Sequence, residues 1–286
     1  MERAVSRVAR VSIIIPCYND GKYLPEAVAS ARRQTHPAME IIVVDDHSDD
    51  AETLAILERL RHEGVTVLET PPGRKGPSAA RNAGIAAATG DYILPLDADD
   101  VIAPDYAAKA AAVLDADETV GICYCRARYF GLKSGPWELP PYSFEELLCG
   151  NMIFATAMFR KSDWASLGGY DESLLAGLED YAFWLRLTES GARVRRLDEE
   201  LFFYRVKGGS RSAQMARDEA HARAFAQVHA ACADIFAKHS GILLQKIASL
   251  KKERAQQECL LGWKLCAPLF RLEWALRQRV KRFLKR

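Results

Sequence analysis

Apolar residues in the first hundred positions fall into short dense runs, separated by longer stretches in which they recur every three or four residues. The runs are Val11-Ser12-Ile13-Ile14-Ile15-Pro16, Ile41-Ile42-Val43-Val44, Val65–Glu69 and Tyr92-Ile93-Leu94-Pro95-Leu96. Continuous β-branched runs of this length predict strands buried on both faces. The stretches between them predict helices over about 23–34, 51–62 and 78–88, the last Ala-rich and stopped by Gly90. Pro104 opens a further helix, since proline suits a first helical turn. Strand–helix alternation at this spacing predicts a parallel sheet covered on both faces. Beyond about residue 115 the alternation lapses. Strands are predicted over 120–130, 151–159 and 201–206, helices over 144–148 and 181–190, and helix from about 214 onward.

Parallel sheets bind ligands beyond the carboxyl ends of their strands. Two of the apolar runs end there in acid, as Asp45-Asp46-His47-Ser48 and Asp97-Ala98-Asp99-Asp100. Three carboxylates within four residues repel one another unless a cation offsets them. Hard divalent cations bridge such carboxylates to phosphates; a solvated turn capping the next helix is the alternative. At Asp45-Asp46 a carboxylate suits a base edge or a ribose hydroxyl, and an N-cap for the helix near 51 is the alternative. Between the two lies Gly73-Arg74-Lys75-Gly76-Pro77-Ser78-Ala79-Ala80-Arg81-Asn82-Ala83-Gly84, glycines and cations leading into a helix N-terminus. Such a segment suits an anion, or is a merely flexible loop. It is neither a Walker loop nor GxGxxG, so P-loop and dinucleotide enzymes gain no support.

Composition narrows the class further. With 286 residues, 39 basic and 38 acidic side chains and 49% apolar residues, the chain is neither disordered, collagen-like nor a disulfide scaffold. No apolar run approaches the roughly 18 residues of a spanning helix, and Met1-Glu2-Arg3-Ala4 is not expected to open a secretory signal. The seven cysteines are odd in number, and Cys123 and Cys125 alternate onto one strand face, so reduced core thiols in a cytosolic protein are expected. Charge is unevenly spread: residues 1–200 carry 21 basic and 32 acidic side chains, and residues 201–286 carry 18 and 6. Two differently charged parts suggest two roles.

Four segments in order, 11–20 (Val-Ser-Ile-Ile-Ile-Pro-Cys-Tyr-Asn-Asp), 41–50 (Ile-Ile-Val-Val-Asp-Asp-His-Ser-Asp-Asp), 76–84 (Gly-Pro-Ser-Ala-Ala-Arg-Asn-Ala-Gly) and 96–100 (Leu-Asp-Ala-Asp-Asp), resemble the family 2 glycosyltransferases of the GT-A fold. Gly168-Gly169-Tyr170-Asp171-Glu172 and the segment from Leu178-Glu179-Asp180 onward resemble that family's GGxDE and ED segments. The resemblance covers about 10–212. It implies a Rossmann-like α/β fold, a mixed or parallel sheet sandwiched by helices, with a nucleotide-binding half at about 10–115 and an acceptor-side half at about 116–212. Residues 213–286 form a helical, basic extension. It further implies that Asp46 accepts from a uracil-type base with Asp45 in support, that Pro16, Tyr18 and Asn19 line the nucleotide pocket, and that Arg81 lies close to it. Asp97 and Asp99 match the DXD motif, Asp99 as a ligand of Mn²⁺ or Mg²⁺ and Asp97 toward the ribose or the metal shell. Asp180 matches the catalytic base of an inverting transfer from a nucleotide-diphospho-sugar to a glycan or lipid-linked acceptor. The Tyr204–Ser212 segment departs from the family's pattern, with Lys207 where many members carry His; an ammonium cannot ligate a metal but pairs with phosphate, so a diphosphate contact by Arg205, Lys207 or Arg211 is expected and the glycines suggest a mobile lid. Trp137, Tyr142, Phe144 and Trp184 suit sugar stacking or the core, and Trp137 beside Gly135-Pro136 is the one favoured for stacking.

The C-terminal stretch repeats Leu265, Leu269, Leu272, Leu276, Val280 and Phe283 at helical spacing among arginines and lysines. A cationic amphipathic helix with Trp263 and Trp274 predicts peripheral contact with an anionic membrane through 263–286, at the inner face of the cell membrane. Packing on the chain itself or in a homodimer is the alternative, and no nucleic-acid motif accompanies the charge. Two rival functions stand beside the transferase. A sugar-phosphate nucleotidyltransferase would want a GxGxR loop that residues 16–24 lack, and a non-catalytic nucleotide-sugar-binding module would be expected to have lost Asp99 or Asp180.

Overall fold

The four dense apolar runs become four neighbouring parallel strands, three of them largely buried and the run at Val65–Glu69 forming the sheet edge with Thr66 and Glu69 exposed. The structure, a computed structural model, describes residues 8–208 and 218–257. Its first half runs β1 (Val11–Cys17), α1 (Leu24–Arg32), β2 (Met39–Asp45), α2 (Ala51–His62), β3 (Thr66–Glu69), α3 (Pro77–Ala87), β4 (Tyr92–Pro95), β5 (Val101–Ile102) and α4 (Tyr106–Ala116). The second half continues with β6 (Val120–Gly131), β7 (Gly135–Trp137), α5 (Phe144–Leu147), β8 (Met158–Arg160), α6 (Lys161–Ser166), α7 (Glu179–Glu189) and β9 (Arg193–Val206). Helices α8 (Asp218–Ala231) and α9 (Ala233–Lys238) follow, and residues 240–257 are helical.

One mixed sheet of nine strands runs in the order β3-β2-β1-β4-β8-β6-β9-β5, with β7 on β6. Strands β1 to β4 are parallel, with Cys17 level with Asp45 and Asp45 level with Glu69, so their carboxyl ends form one rim. Antiparallel pairing of β4 with β8 reverses the sense of the sheet. Val11, Ile13, Ile14 and Ile15 are fully buried, as are Ile93 and Leu94. Each such side chain contributes roughly 1.5–3 kcal/mol on burial. Gly84 lets α3 lie against this layer: a Cβ there would fall 2.6 Å from Ile14 Cγ2 and 2.9 Å from Val44 Cγ2.

Several elements differ from the sequence expectation. Residues 151–157 are not strand, and only Met158 and Phe159 of the expected 151–159 run enter β8. The run is apolar because it is buried, and side chains satisfy its backbone. Asn151 accepts from the Ile153 N–H at 3.2 Å, Trp184 Nε1 donates to the Ile153 carbonyl at 3.0 Å, and the Tyr106 hydroxyl donates to the Thr156 carbonyl at 2.7 Å. Strand β9 begins at Arg193 rather than 201; its basic, mostly exposed first half carries no apolar period, yet pairs with β6. Strands β5 and β7 and helix α6 are too short to leave a periodic signal.

The first compact unit runs through Phe236, past residue 212. Helix α8 belongs to it because the Phe225 ring packs 5.7 Å from that of Tyr181, and the Cys232 thiol reaches the Ala182 carbonyl at 3.9 Å. Residues from 237 on form a second unit. No helix among the described residues is long and apolar enough to cross a membrane. The expected membrane or dimer contact through 263–286, and positions 209–212 of the expected Tyr204–Ser212 lid with Arg211, lie outside the described residues. Of the cysteines described, Cys17, Cys123, Cys125 and Cys232 are buried, Cys149 is exposed, and all five are free thiols.

Candidate active site

Three loops at the strand rim and one from the second half converge on a single cavity. The first follows β1. Pro16 and Tyr18 line the cavity, while Asn19 takes a left-handed backbone (φ 52°) and turns aside. Its side-chain oxygen accepts from the Asp49 and Asp50 N–H groups at 3.0 and 3.1 Å, tying this loop to the one after β2.

The second loop carries Asp45 and Asp46. Asp45 is buried and accepts from the Ser48 N–H at 3.2 Å, which shapes the turn. Asp46 lines the cavity. Its Oδ2 accepts from the Gly76 N–H at 2.7 Å, while its Oδ1 is buried with no hydrogen-bond partner among the described residues. An unsatisfied buried carboxylate oxygen costs free energy until a donor reaches it, so it is a ready acceptor for a ligand N–H. Gly76 stands at the α3 N-cap with φ 92° and ψ 166°, a region a side chain would strain, and Pro77 fills the first turn.

Helix α3 then delivers Arg81 to the cavity floor, 2% exposed. Its guanidinium donates to Asp97 Oδ1 at 2.7 Å and to Glu179 Oε1 at 2.8 Å. Burial works against the charge, but the two carboxylates outweigh it and hold the guanidinium protonated. Arg81 therefore braces the third loop, Asp97–Asp100, against the start of α7.

In that third loop, burial and the neighbouring Asp97 raise the Asp99 pKa, while Lys207 opposes the rise. Asp100, 1% exposed, is pushed well up by burial, Asp99 and Asp97; it accepts from the Arg205 N–H at 2.8 Å. The Arg205 guanidinium donates to the Asp99 carbonyl at 2.7 Å, pairs with Glu26 and lies 4.2 Å from the Phe130 ring centre. Lys207 lines the cavity, with its ammonium 3.0 Å from Asp99 Oδ2 and paired also with Asp20.

Opposite stands Asp180, in the first turn of α7. Leu178, left-handed at φ 64°, makes the sharp entry that turns Glu179 inward and Asp180 toward the cavity. Asn151 Nδ2 donates to Asp180 Oδ2 at 3.0 Å. Burial, then the Glu179 charge, raises Asp180 to about 6, with Arg81 and the Asn151 bond opposing. A carboxylate poised near neutrality in a cleft is suited to proton abstraction. Among the described residues, the non-glycine positions with positive φ are Asn19, His47 and Leu178, all on these loops. Backbone strain concentrated at one cavity is common at functional sites.

The cavity has a volume of about 1020 Å³, ample for a sugar nucleotide. Its far wall is aromatic. Trp137 stacks on Tyr129 at 5.2 Å, lies 5.0 Å from Tyr204 and 6.0 Å from Phe154. Trp184, by contrast, is fully buried in the core.

The glycosyl transferase family 2 model matches residues 12–166 of this chain. The chain belongs to the family 2 glycosyltransferases. It is 32% identical over 191 residues to the chondroitin synthase of Escherichia coli, covering 65% of this chain but 28% of that protein. It spans under a third of the length of the chondroitin and hyaluronan synthases it matches. It is 28% identical to the succinoglycan biosynthesis protein ExoO of Rhizobium meliloti, covering 78% of this chain and 71% of ExoO. Among solved structures, Staphylococcus aureus TarS residues 1–349 in complex with UDP superposes with a TM-score of 0.57 at 26% identity, over 69% of this chain and 61% of that one.

Family 2 glycosyltransferases share the GT-A fold found here, and divalent metals are common among GT-A enzymes. The donor set in this chain fits such an ion. Asp97 and Asp99 offer carboxylate oxygens one residue apart on a cavity wall, and hard cations are commonly held by one or two carboxylates plus substrate phosphates. Among the described residues no third acidic, imidazole or thiol side chain joins them, so the ion's other ligands would be phosphate oxygens and water. Residues that the sequence reading did not single out are Asp20, Asn151 and His221, the last reaching the cavity from α8. Asn151 had no signal beyond being a polar residue ahead of an apolar run; Asp20 stood within the first recognised segment.

Proposed function

We propose that this chain is an inverting glycosyltransferase that moves a sugar from a uridine-diphosphate-type donor to a hydroxyl of a glycan or lipid-linked acceptor in surface polysaccharide assembly. The observation that carries this reading is one cavity with strand-end carboxylates Asp46, Asp97 and Asp99 on one side and Asp180, raised to about 6, on the other. Membership of the family supports the reaction class, and the UDP held by the related TarS supports the base. The names of the polysaccharide synthases and of ExoO support the pathway class.

In this reading Asp46 Oδ1 accepts from the uracil N–H while Pro16 and Tyr18 flank the ring. Asp97 and Asp99 would hold Mn²⁺ or Mg²⁺, which would supply positive charge for the diphosphate. Bound there, the ion offsets negative charge as it grows on the leaving diphosphate. Asp180 takes the proton from the acceptor hydroxyl as that oxygen attacks the anomeric carbon from the face opposite the leaving group, and one displacement inverts the centre. Asn151 holds Asp180 in place and Trp137 offers a stacking face for an acceptor sugar ring.

Calorimetric binding of UDP, GDP, dTDP and CMP, each with and without Mn²⁺, to wild type and Asp99→Ala tests the donor site. Tight binding of UDP that needs Mn²⁺ for full affinity and weakens in Asp99→Ala is expected. Absence of binding by all four would overturn the reading.

A further inference from the structure

Each carboxylate of the Asp97-Ala98-Asp99 motif already meets a cation, Asp97 with Arg81 and Asp99 with Lys207. Lys207 follows the last residue of β9 and sends its ammonium to Asp99 Oδ2 at 3.0 Å, and it pairs with Asp20 across the cavity mouth. It is not a surface lysine at rest: its side chain is 18% exposed, Asp99 is 17% and Asp20 28%. The Tyr23 ring centre lies 5.1 Å from the ammonium and adds to its hold on the cation. Arg205, two residues earlier, anchors the strand end to the Asp97–Asp100 loop through the Asp100 carboxylate and the Asp99 carbonyl. The ammonium is thus built into the cavity wall at the oxygen that a metal would use.

We propose that Lys207 is a tethered counter-cation of the donor site, which competes with the divalent metal for Asp99 and moves to the donor diphosphate when the metal takes its place. The inference rests on the glycosyltransferase reading above, since the diphosphate gives the displaced ammonium its second position. The ammonium repels a divalent ion at Asp99, so metal alone binds against that charge and leaves Lys207 only its pairing with Asp20. With a diphosphate present the ammonium exchanges one anion for another, and little is lost. Metal and nucleotide therefore bind with positive coupling, each improving the other's affinity by the same factor. The same ammonium also confers some nucleotide affinity without any metal, since a point charge suffices to hold a phosphate.

The experiment measures two affinities without reference to turnover. Mn²⁺ binding alone is followed by electron paramagnetic resonance, and UDP binding in EDTA and in Mn²⁺ by calorimetry, on wild type, Lys207→Met and Lys207→Arg. Removing a unit charge a few ångströms from a divalent ion is expected to tighten Mn²⁺ alone about tenfold in Lys207→Met. In EDTA the same variant is expected to bind UDP about tenfold more weakly, with Lys207→Arg close to wild type in both assays. Lys207→Gln, polar and of similar length, replaces the Met variant if thermal melting shows Lys207→Met to be unfolded. If UDP binds wild type in an Asp99-dependent way but both affinities stay within twofold in the neutral variant, the role of Lys207 is overturned and the glycosyltransferase reading stands. If wild type binds neither UDP nor Mn²⁺, both fall together.

Discussion

The Arg81 guanidinium donates to the Glu179 carboxylate at 2.8 Å, although the two residues are 98 positions apart in the chain. Through its other terminal nitrogen Arg81 holds Asp97 at 2.7 Å, so one side chain, 3% exposed, ties the Asp97–Asp100 loop to the residue beside Asp180. Removing one member of a buried ionic group is far costlier than the net worth of the group, because charges are left behind without a counterion. Arg81→Met is expected to lower unfolding stability by about 3–5 kcal/mol in urea titrations. Arg81→Lys keeps the charge but not the fork, and is expected to recover only part of the loss.

Arg81 is also the cation that restrains the Asp180 pKa. In Arg81→Gln, which removes that charge, the acid limb of the pH–rate profile is expected to move above that of wild type.

As the proposed base, Asp180 is expected to set the wild-type profile. Raised to about 6 by burial and Glu179, it is protonated and inactive as a base at lower pH. The kcat/KM is expected to fall roughly tenfold per pH unit below that value and to be flat above it. Asp180→Asn is expected to lose about 10²–10⁴-fold in kcat. Stability follows the opposite sign. A carboxylate whose folded pKa is raised penalises the fold once ionised; the penalty is absent below the unfolded value, grows as pH rises between the two, and is complete above about 6. Asp180→Asn is therefore expected to be more stable than wild type at pH 7.5, by about 1–3 kcal/mol, with the gap closing as pH falls toward 4. Thermal melts across that range check it.

Gly84 has no room for a methyl group. With a Cβ 2.6 Å from Ile14 and 2.9 Å from Val44, Gly84→Ala must push α3 off the sheet. Overpacking of this kind costs about 1–3 kcal/mol. Since α3 also carries Gly76 and Arg81, weaker UDP binding is expected beside the lower melting temperature.

Trp137 tests the acceptor side. Its indole lies at the cavity wall among Tyr129, Phe154 and Tyr204. Trp137→Ala is expected to raise the acceptor KM about three- to tenfold, from the 0.5–1.5 kcal/mol of an aromatic contact, and to leave UDP affinity unchanged. Trp137→Phe is expected to recover most of the loss. A change confined to UDP binding would remove Trp137 from the acceptor site.

Much of the nucleotide half was legible in the amino-acid order alone. Runs such as Ile13-Ile14-Ile15 and Ile41–Val44 specify strands buried on both faces, and in a parallel sheet the acids that follow them must gather at one rim. That places Asp46, Asp97 and Asp99 together before any contact is known. The αL positions at Asn19 and Leu178 and the strand at Arg193–Leu197 left no such mark, because they are set by distant partners rather than by local period. Residues 151–157 show the limit from the other side: their apolar character reflects burial, and side chains from α4 and α7 satisfy their backbone in place of a ladder. What the sequence by itself determined is which residues end strands and which carry charge. Only the tertiary structure decided the pairing of those charges: Arg81 with Glu179, Lys207 with Asp99, Asn151 with Asp180. Those pairings depend on where packing brings segments separated by tens to about a hundred residues, and in a buried cavity the nearest counter-charge, not the neighbour in sequence, fixes what each carboxylate can do.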